Sequence, residues 1–338
     1  MAKKYIIPVL LVTMTAALCG CGSGSKFDNG TMRKDFTAVE CAQEMGVGIN
    51  LGNTLEAYWA DENDLTTGAS TIGSDTPSDY EKCWGAVDTT QECIDGMKAA
   101  GFNTVRIPVY WGNMMADDGK YDINEDYMNR VQEVVDYCRK AELYVVINVH
   151  HYDEFLIKNH TKEEVLEATA HIWKQIAQHF KGYSDFLVFE GFNEALGTPQ
   201  NDMTMTEDET YAYVNEMNQV FVDTVRSTGG NNRNRILIVS GYWTNIDNTT
   251  NEKFQMPNDT VEDKMMVSVH YIDNAIYWQN MVGNPRWIQY STDQCELLKN
   301  RFTSEGIPIF VGELTSIYTS DHVMPGSVYQ ESSEMLQI

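Results

Sequence analysis

Positive charge is scarce in this chain. Its 338 residues hold 24 Lys and Arg against 49 Asp and Glu, a formal net charge of −25. So acidic a surface repels nucleic acid and anionic lipid, and neither is expected as a partner. A neutral substrate is compatible with it. Paired cysteine motifs are also missing. Beyond Cys21 the chain has Cys41, Cys83, Cys93, Cys138 and Cys295 with no C-x-x-C among them, which argues against a zinc or redox centre. Cys138 falls on an apolar helix stripe and reads as a buried thiol. A Cys83–Cys93 disulfide stays open. No G-x-G-x-x-G or G-x-x-x-x-G-K-[ST] phosphate loop follows the first strand, which argues against a doubly wound open sheet. There is no internal repeat. The N-terminal apolar run, Tyr5 to Leu18, is too short to span a bilayer comfortably.

That run has another use. Lys3 and Lys4 precede it and Leu18-Cys19-Gly20-Cys21 follows. The pattern resembles a bacterial lipobox, with Cys19 standing where Ala or Ser is usual. The expectation is a signal peptide over 1–21 and a mature chain anchored through lipid on Cys21. Plain secretion after cleavage nearby is the alternative. Either places the protein outside the cytoplasm, at the cell surface or free, with the membrane reached only through the anchor. Residues 22–35, rich in Gly and Ser at their start, read as a flexible tether. Residues 36–338 read as one α/β domain, expected to be monomeric.

Within that domain strand and helix signals alternate. Apolar strand runs fall at Met45–Asn50, Thr104–Pro108, Tyr144–Val149, Phe186–Phe192, Ile236–Ser240, Met265–Val269 and Ile307–Val311. Continuous apolar runs suit parallel strands buried on both faces. Between them, Thr89 to Glu92 and Thr161 to Glu164 have capping-box spacing. Tyr127, Val131, Val134, Val135 and Cys138 recur at helical spacing, as do Val165, Ala168, Ile172, Ile176 and Phe180, and Tyr211, Val214, Phe221 and Val225. Asp293 to Glu305 is a further amphipathic segment, and Asp61 to Ser78 reads as a long loop. The pattern predicts a (β/α)8 TIM barrel, with a doubly wound sheet as the structural alternative.

Polar residues then gather at strand ends, where such barrels build active sites. Strand two carries Arg106. Strand three gives Asn148, His150 and His151, and strand four gives Asn193 and Glu194. Strand six gives His270 and Tyr271, and strand seven ends on Glu313. Two strand-end carboxylates brought together by a barrel can cleave a glycosidic bond. Glu190 reads as packed inside the barrel.

Five segments carry a family resemblance: Gly48-Ile-Asn-Leu-Gly-Asn-Thr-Leu-Glu56, Gly101-Phe-Asn-Thr-Val-Arg-Ile-Pro-Val109, Val146-Ile-Asn-Val-His-His151, Phe189-Glu-Gly-Phe-Asn-Glu194 and Ile309-Phe-Val-Gly-Glu313. In this order they resemble glycoside hydrolase family 5, which includes retaining cellulases. The resemblance implies Glu194 as general acid/base and Glu313 as nucleophile. It places Asn193 on the sugar 2-hydroxyl and Arg106 beside the nucleophile. His150 and His151 would line the site, and His270 and Tyr271 would form the strand-six pair. Trp278 is the best sugar-stacking residue by position; Trp59, Trp84, Trp111, Trp243 and Trp287 also fall in or near strand-end loops. Asn50 and Glu56 are expected to reach outer subsites. No cofactor or metal is required, because the two carboxylates supply acid, base and nucleophile.

The implied activity is a retaining endo-β-1,4-glucanase acting on cellulose-like or mixed-linkage β-glucan, as polysaccharide or oligosaccharide. Cellodextrinase, xyloglucanase and mannanase are alternatives within the family, and a non-catalytic surface glycan-binding lipoprotein is the alternative outside it. The chain departs from the family pattern after Glu313. Only 25 residues follow, with no eighth strand or its tryptophan recognisable, so the barrel is expected to be truncated there.

Overall fold

A computed structural model describes residues 27–59, 74–116, 118–151, 157, 160–197, 205–270 and 286–314. Seven strands run through them: β1 (Gly48–Asn50), β2 (Thr104–Ile107), β3 (Tyr144–Asn148), β4 (Leu187–Glu190), β5 (Leu237–Val239), β6 (Met265–His270) and β7 (Ile309–Glu313). Each overlaps an expected run. All pair in parallel, in chain order from β1 to β7. A doubly wound sheet would reverse its strand order part-way. Unbroken order instead curls one sheet into a nearly closed barrel of the TIM type. Asn50 Nδ2 donates to the Gly312 carbonyl at 3.0 Å, a tie between β1 and β7. The expected loss of an eighth strand falls on residues 315–338, outside the described residues.

The helices on these residues are α1 (Ala38–Met45), α2 (Pro77–Lys82), α3 (Gln91–Ala99), α4 (Glu125–Lys140), α5 (Lys162–His179), α6 (Glu207–Ser227), α7 (Ile246–Thr250) and α8 (Arg286–Arg301). The apolar stripe of α4 is fully buried from Tyr127 to Cys138, as is most of that of α5. Each fully buried Val, Ile or Phe contributes about 1.5–3 kcal/mol of transfer free energy. None of these helices is long and apolar enough to cross a membrane.

Caps set where the helices begin. Thr161 and Glu164 exchange side chain and backbone bonds at the start of α5, as the spacing predicts. Thr37 with Glu40 and Thr206 with Glu209 do the same for α1 and α6. At α3 the expectation is one residue off. Thr90 is the cap, accepting from Cys93 N. Thr89 is instead held by the buried Glu81 and Arg130: its N–H donates to Glu81 Oε1 at 2.7 Å and its carbonyl accepts from Arg130 Nη2 at 2.8 Å. A long-range ion pair thus overrides the local pattern.

Three further expectations change. The amphipathic segment at Asp293 starts earlier, at Arg286, and ends in a 3₁₀ turn at Thr303–Glu305. The loop read to Ser78 already turns helical at Pro77. The described part of the expected tether is docked on the barrel. Phe27 packs on Tyr144 and Phe186, and Arg33 Nε donates to Asp185 Oδ2 at 2.8 Å. An aromatic and an arginine supply the contacts that the earlier Gly and Ser cannot. Cys41, Cys83, Cys93, Cys138 and Cys295 are all free thiols, so Cys83 and Cys93 form no disulfide. Burial pushes the Cys138 thiol up to about 12, as befits a packing residue.

Candidate active site

The C-terminal ends of the strands carry a connected polar layer centred on Arg106. This side chain on β2 is only 2% exposed. Nε donates to Glu190 Oε2 at 2.7 Å, and Nη1 donates to Asn50 Oδ1 at 3.2 Å and to Glu313 Oε1 at 3.1 Å. Nη2 donates to Asn193 Oδ1 at 2.9 Å. One guanidinium therefore ties together β1, β2, β4, the segment after β4 and β7. Burial works against its charge, but Glu190 and Glu313 more than offset that, and its pKa is raised.

Glu190 is the counterweight. It is 1% exposed and accepts from three strands: Arg106, Asn148 Nδ2 at 3.1 Å and Ser268 Oγ at 2.9 Å. Burying a carboxylate this deeply requires a paired cation and satisfied lone pairs, and it has both. The sequence places it inside the barrel, and there it lies.

Glu194 and Glu313 face each other above this layer. Glu194, in the left-handed region at φ 42, is positioned by its N–H, which donates to Thr244 Oγ1 at 3.1 Å. His270 Nδ1 lies 2.9 Å from Glu194 Oε1 and 3.9 Å from Glu313 Oε1. One oxygen of each carboxylate and a His270 ring nitrogen all lie within 4.8 Å of one another. The carboxylates are each about a quarter exposed, whereas His270 is buried. A register shift between Val269 and His270 sets His270 opposite Glu313. Gly312 makes that approach possible: a Cβ there would stand 2.7 Å from His270 Nε2.

Beside them, His150 is buried and its Nδ1 meets the Asn148 amide nitrogen at 3.2 Å, so Nδ1 is the acceptor. Burial, with Arg106 and the other histidines nearby, holds it well below the ordinary imidazole range. His151 is lowered to about 4 by burial, partly offset by Glu313. Its ring sits among Tyr58, Trp84, Tyr110 and His150.

Of the residues singled out in the sequence, Arg106, His150, His151, Asn193, Glu194, His270 and Glu313 converge here. Asn50 joins them, but its amide is committed to Arg106 and Gly312. Glu56 turns back on its own loop, accepting from the N–H groups of Asn53 and Thr54, and is buried. Trp111 is a core residue, its Nε1 on the Asn148 carbonyl at 2.8 Å. Trp59, Trp84 and Trp243 are exposed. Tyr271, Trp278 and Cys21 lie outside the described residues, as does the Trp287 side chain. Ser268 escaped the sequence reading, although its spacing of two from His270 puts both on one face of β6. Thr244 and Gly312 escaped it too, since only tertiary contacts reveal them.

Comparison with known proteins decides the family. The cellulase model of glycosyl hydrolase family 5 matches residues 64–338. The chain belongs to glycosyl hydrolase family 5. It is a glycoside hydrolase of O-glycosyl bonds, as its five motifs implied. Endoglucanase A of Paenibacillus barcinonensis is 34% identical over 361 residues, covering 97% of this chain and 85% of that protein. Endoglucanase A of Clostridium longisporum is 36% identical over 291 residues, and the match spans 83% of this chain but 53% of that one. Among solved structures, a GH5-4 broad specificity endoglucanase from Ruminococcus champanellensis with bound cellotriose superimposes with a TM-score of 0.71 at 34% identity. That match covers 86% of this chain and 83% of the other.

Proposed function

We propose that this family 5 protein is a retaining endo-β-1,4-glucanase that cleaves cellulose-like or mixed-linkage β-glucan by double displacement. The observation that carries the reading is the spacing of Glu194 and Glu313: one oxygen of each carboxylate lies within 4.8 Å of the other. Retaining pairs stand roughly 5–5.5 Å apart, whereas inverting pairs leave about 6.5–9.5 Å for a water. The endoglucanase relatives and the cellotriose-bound neighbour support the substrate class.

The neighbours of the two carboxylates support different roles. Glu313 lies 3.1 Å from the Arg106 guanidinium, a setting that favours a carboxylate anion able to attack. Its oxygen bonds to the anomeric carbon while the glycosidic oxygen departs with the proton of Glu194. Attack consumes the Glu313 charge, and Glu194 can then act as base. It takes a proton from water, whose oxygen attacks the same carbon and frees Glu313. His270, bonded to Glu194, orients it through both steps. Asn193, held by Arg106, is placed to meet the sugar hydroxyl next to the attacked carbon.

Release of reducing sugar from carboxymethylcellulose and barley β-glucan tests the reading. The purified protein is expected to release it and Glu313→Ala to lose nearly all of that activity. Binding of glucan with no release would favour a non-catalytic glycan-binding lipoprotein. We also propose a cell-surface location through lipid on Cys21, supported by Lys3, Lys4, the apolar run and Leu18-Cys19-Gly20-Cys21. Radiolabelled palmitate should enter the protein in a bacterial host and should not enter a Cys21→Ala variant.

A further inference from the structure

We propose that the chain stands on the membrane with the N-terminal ends of its barrel strands toward lipid and its catalytic mouth facing away, an arrangement that rests on the lipid attachment at Cys21 proposed above. The docked N-terminal segment fixes which end is tethered. Phe27 packs on Tyr144, the first residue of β3, and on Phe186, just before β4. Arg33 Nε donates to Asp185 Oδ2 at 2.8 Å, and the Gly30 carbonyl accepts from Asn231 Nδ2, ahead of β5, at 3.0 Å. Lys264, just before β6, donates to the carbonyls of Lys34 and Phe36. The segment thus lies across the starts of β3 to β6. Glu194 and Glu313 stand at the opposite end of the barrel, after β4 and at the end of β7.

Chain length sets the orientation. Phe27 comes six positions after Cys21, a reach of at most about 22 Å for extended backbone. The helix α6 runs from the mouth back to the base; it has 21 residues and is about 31 Å long. A lipid held so close to Phe27 cannot bring the mouth to the membrane surface. Charge favours the same pose. Each barrel helix runs antiparallel to the strand before it, so its first turn lies at the mouth and its last turn at the base. The first turns are acidic: Glu125 and Asp126 on α4, Glu163 and Glu164 on α5, and Glu207 to Glu209 on α6. The last turns carry Arg139 and Lys140 on α4, and Lys299 and Arg301 on α8. The helix dipole favours both placements. The negative charge of the chain is therefore weighted toward the mouth, which an anionic leaflet repels. Cations gather at the base, which is the end such a leaflet accepts within a screening length of about 8 Å. The cleft is left open to glucan outside the cell.

The experiment uses the acylated chain in vesicles of phosphatidylethanolamine and phosphatidylglycerol, with a rhodamine-labelled lipid as energy acceptor. Cys83→Ser, Cys93→Ser and Cys295→Ser remove the native thiols that are not buried. A donor dye is then placed on Glu125→Cys or Lys140→Cys, both exposed and both on α4. About 22 Å along the helix separates the two positions, so transfer from Lys140→Cys should exceed that from Glu125→Cys by at least about twofold. Equal transfer, or more from Glu125→Cys, would overturn the orientation while leaving the anchor intact. Cys21→Ala should stay in the supernatant when the vesicles are pelleted. If it pellets as the acylated chain does, or if the chain bearing Cys21 also stays behind, the anchor falls and the orientation with it.

Discussion

Arg106 and Glu190 form an ion pair in the barrel interior, Nε to Oε2 at 2.7 Å, with neither side chain more than 2% exposed. The same guanidinium reaches Glu313 at 3.1 Å. One cation thus serves a fully buried carboxylate and a cleft carboxylate, and removing the buried one should disturb both stability and chemistry. Glu190→Ala should destabilise the fold by about 3–5 kcal/mol, because it leaves a buried charge short of a partner. Urea denaturation measures this. A loss under 1 kcal/mol would mean that water or a neighbour takes over the pairing.

Gly312 offers a finer probe. A methyl there would press on His270 Nε2 from 2.7 Å, and His270 holds Glu194. Gly312→Ala should lower kcat on barley β-glucan by up to about 10²-fold, the scale of an ångström misplacement. Far-ultraviolet circular dichroism should remain that of the wild type. Full activity in this variant would show that His270 moves without consequence for Glu194.

The acid/base assignment predicts a dependence on the leaving group. Glu194→Gln should reduce kcat on β-glucan by roughly 10²–10⁴-fold. Formation of the glycosyl-enzyme from a dinitrophenyl cellobioside, whose leaving group needs no proton, should be far less affected. Pre-steady-state release of dinitrophenolate measures that step. Equal losses on both substrates would remove Glu194 from the role of acid.

His151 makes stability depend on pH. Its pKa in the fold is about 4, against an ordinary 6.5. Between these values the unfolded chain binds the extra proton, so stability is full above pH 6.5 and falls as the pH drops toward 4. The contribution is at most roughly 3 kcal/mol. Urea midpoints at pH 4.5 and 6.5 should differ less in His151→Gln than in the wild type. An unchanged difference would remove His151 as the source.

Much of this was legible in the chain because the signals are local. The seven apolar runs mark strands, and stripes such as Val131 to Cys138 mark helix faces. Asn193-Glu194 follow β4 closely, and Glu313 ends β7. What escaped depends on distance in sequence. Thr89 lost its capping role to Glu81 and Arg130, the latter 41 residues away. Glu190 could be read as buried, but its pairing with Arg106 spans 84 positions. The left-handed backbone at Trp243, φ 58, leaves no trace in a residue type that rarely adopts it. Asn50 and Glu56 look alike as polar loop residues, and only the fold shows that one braces Arg106 while the other closes its own turn.

The central claim is that Glu194 and Glu313 cleave a β-glucosidic bond with retention. Proton NMR of cellopentaose hydrolysis tests it most directly, by following the anomeric signals of the new reducing end before mutarotation. The account predicts that the β-anomer appears first and the α-anomer grows in later. An initial α-anomer would contradict double displacement, and with it the roles assigned to both carboxylates.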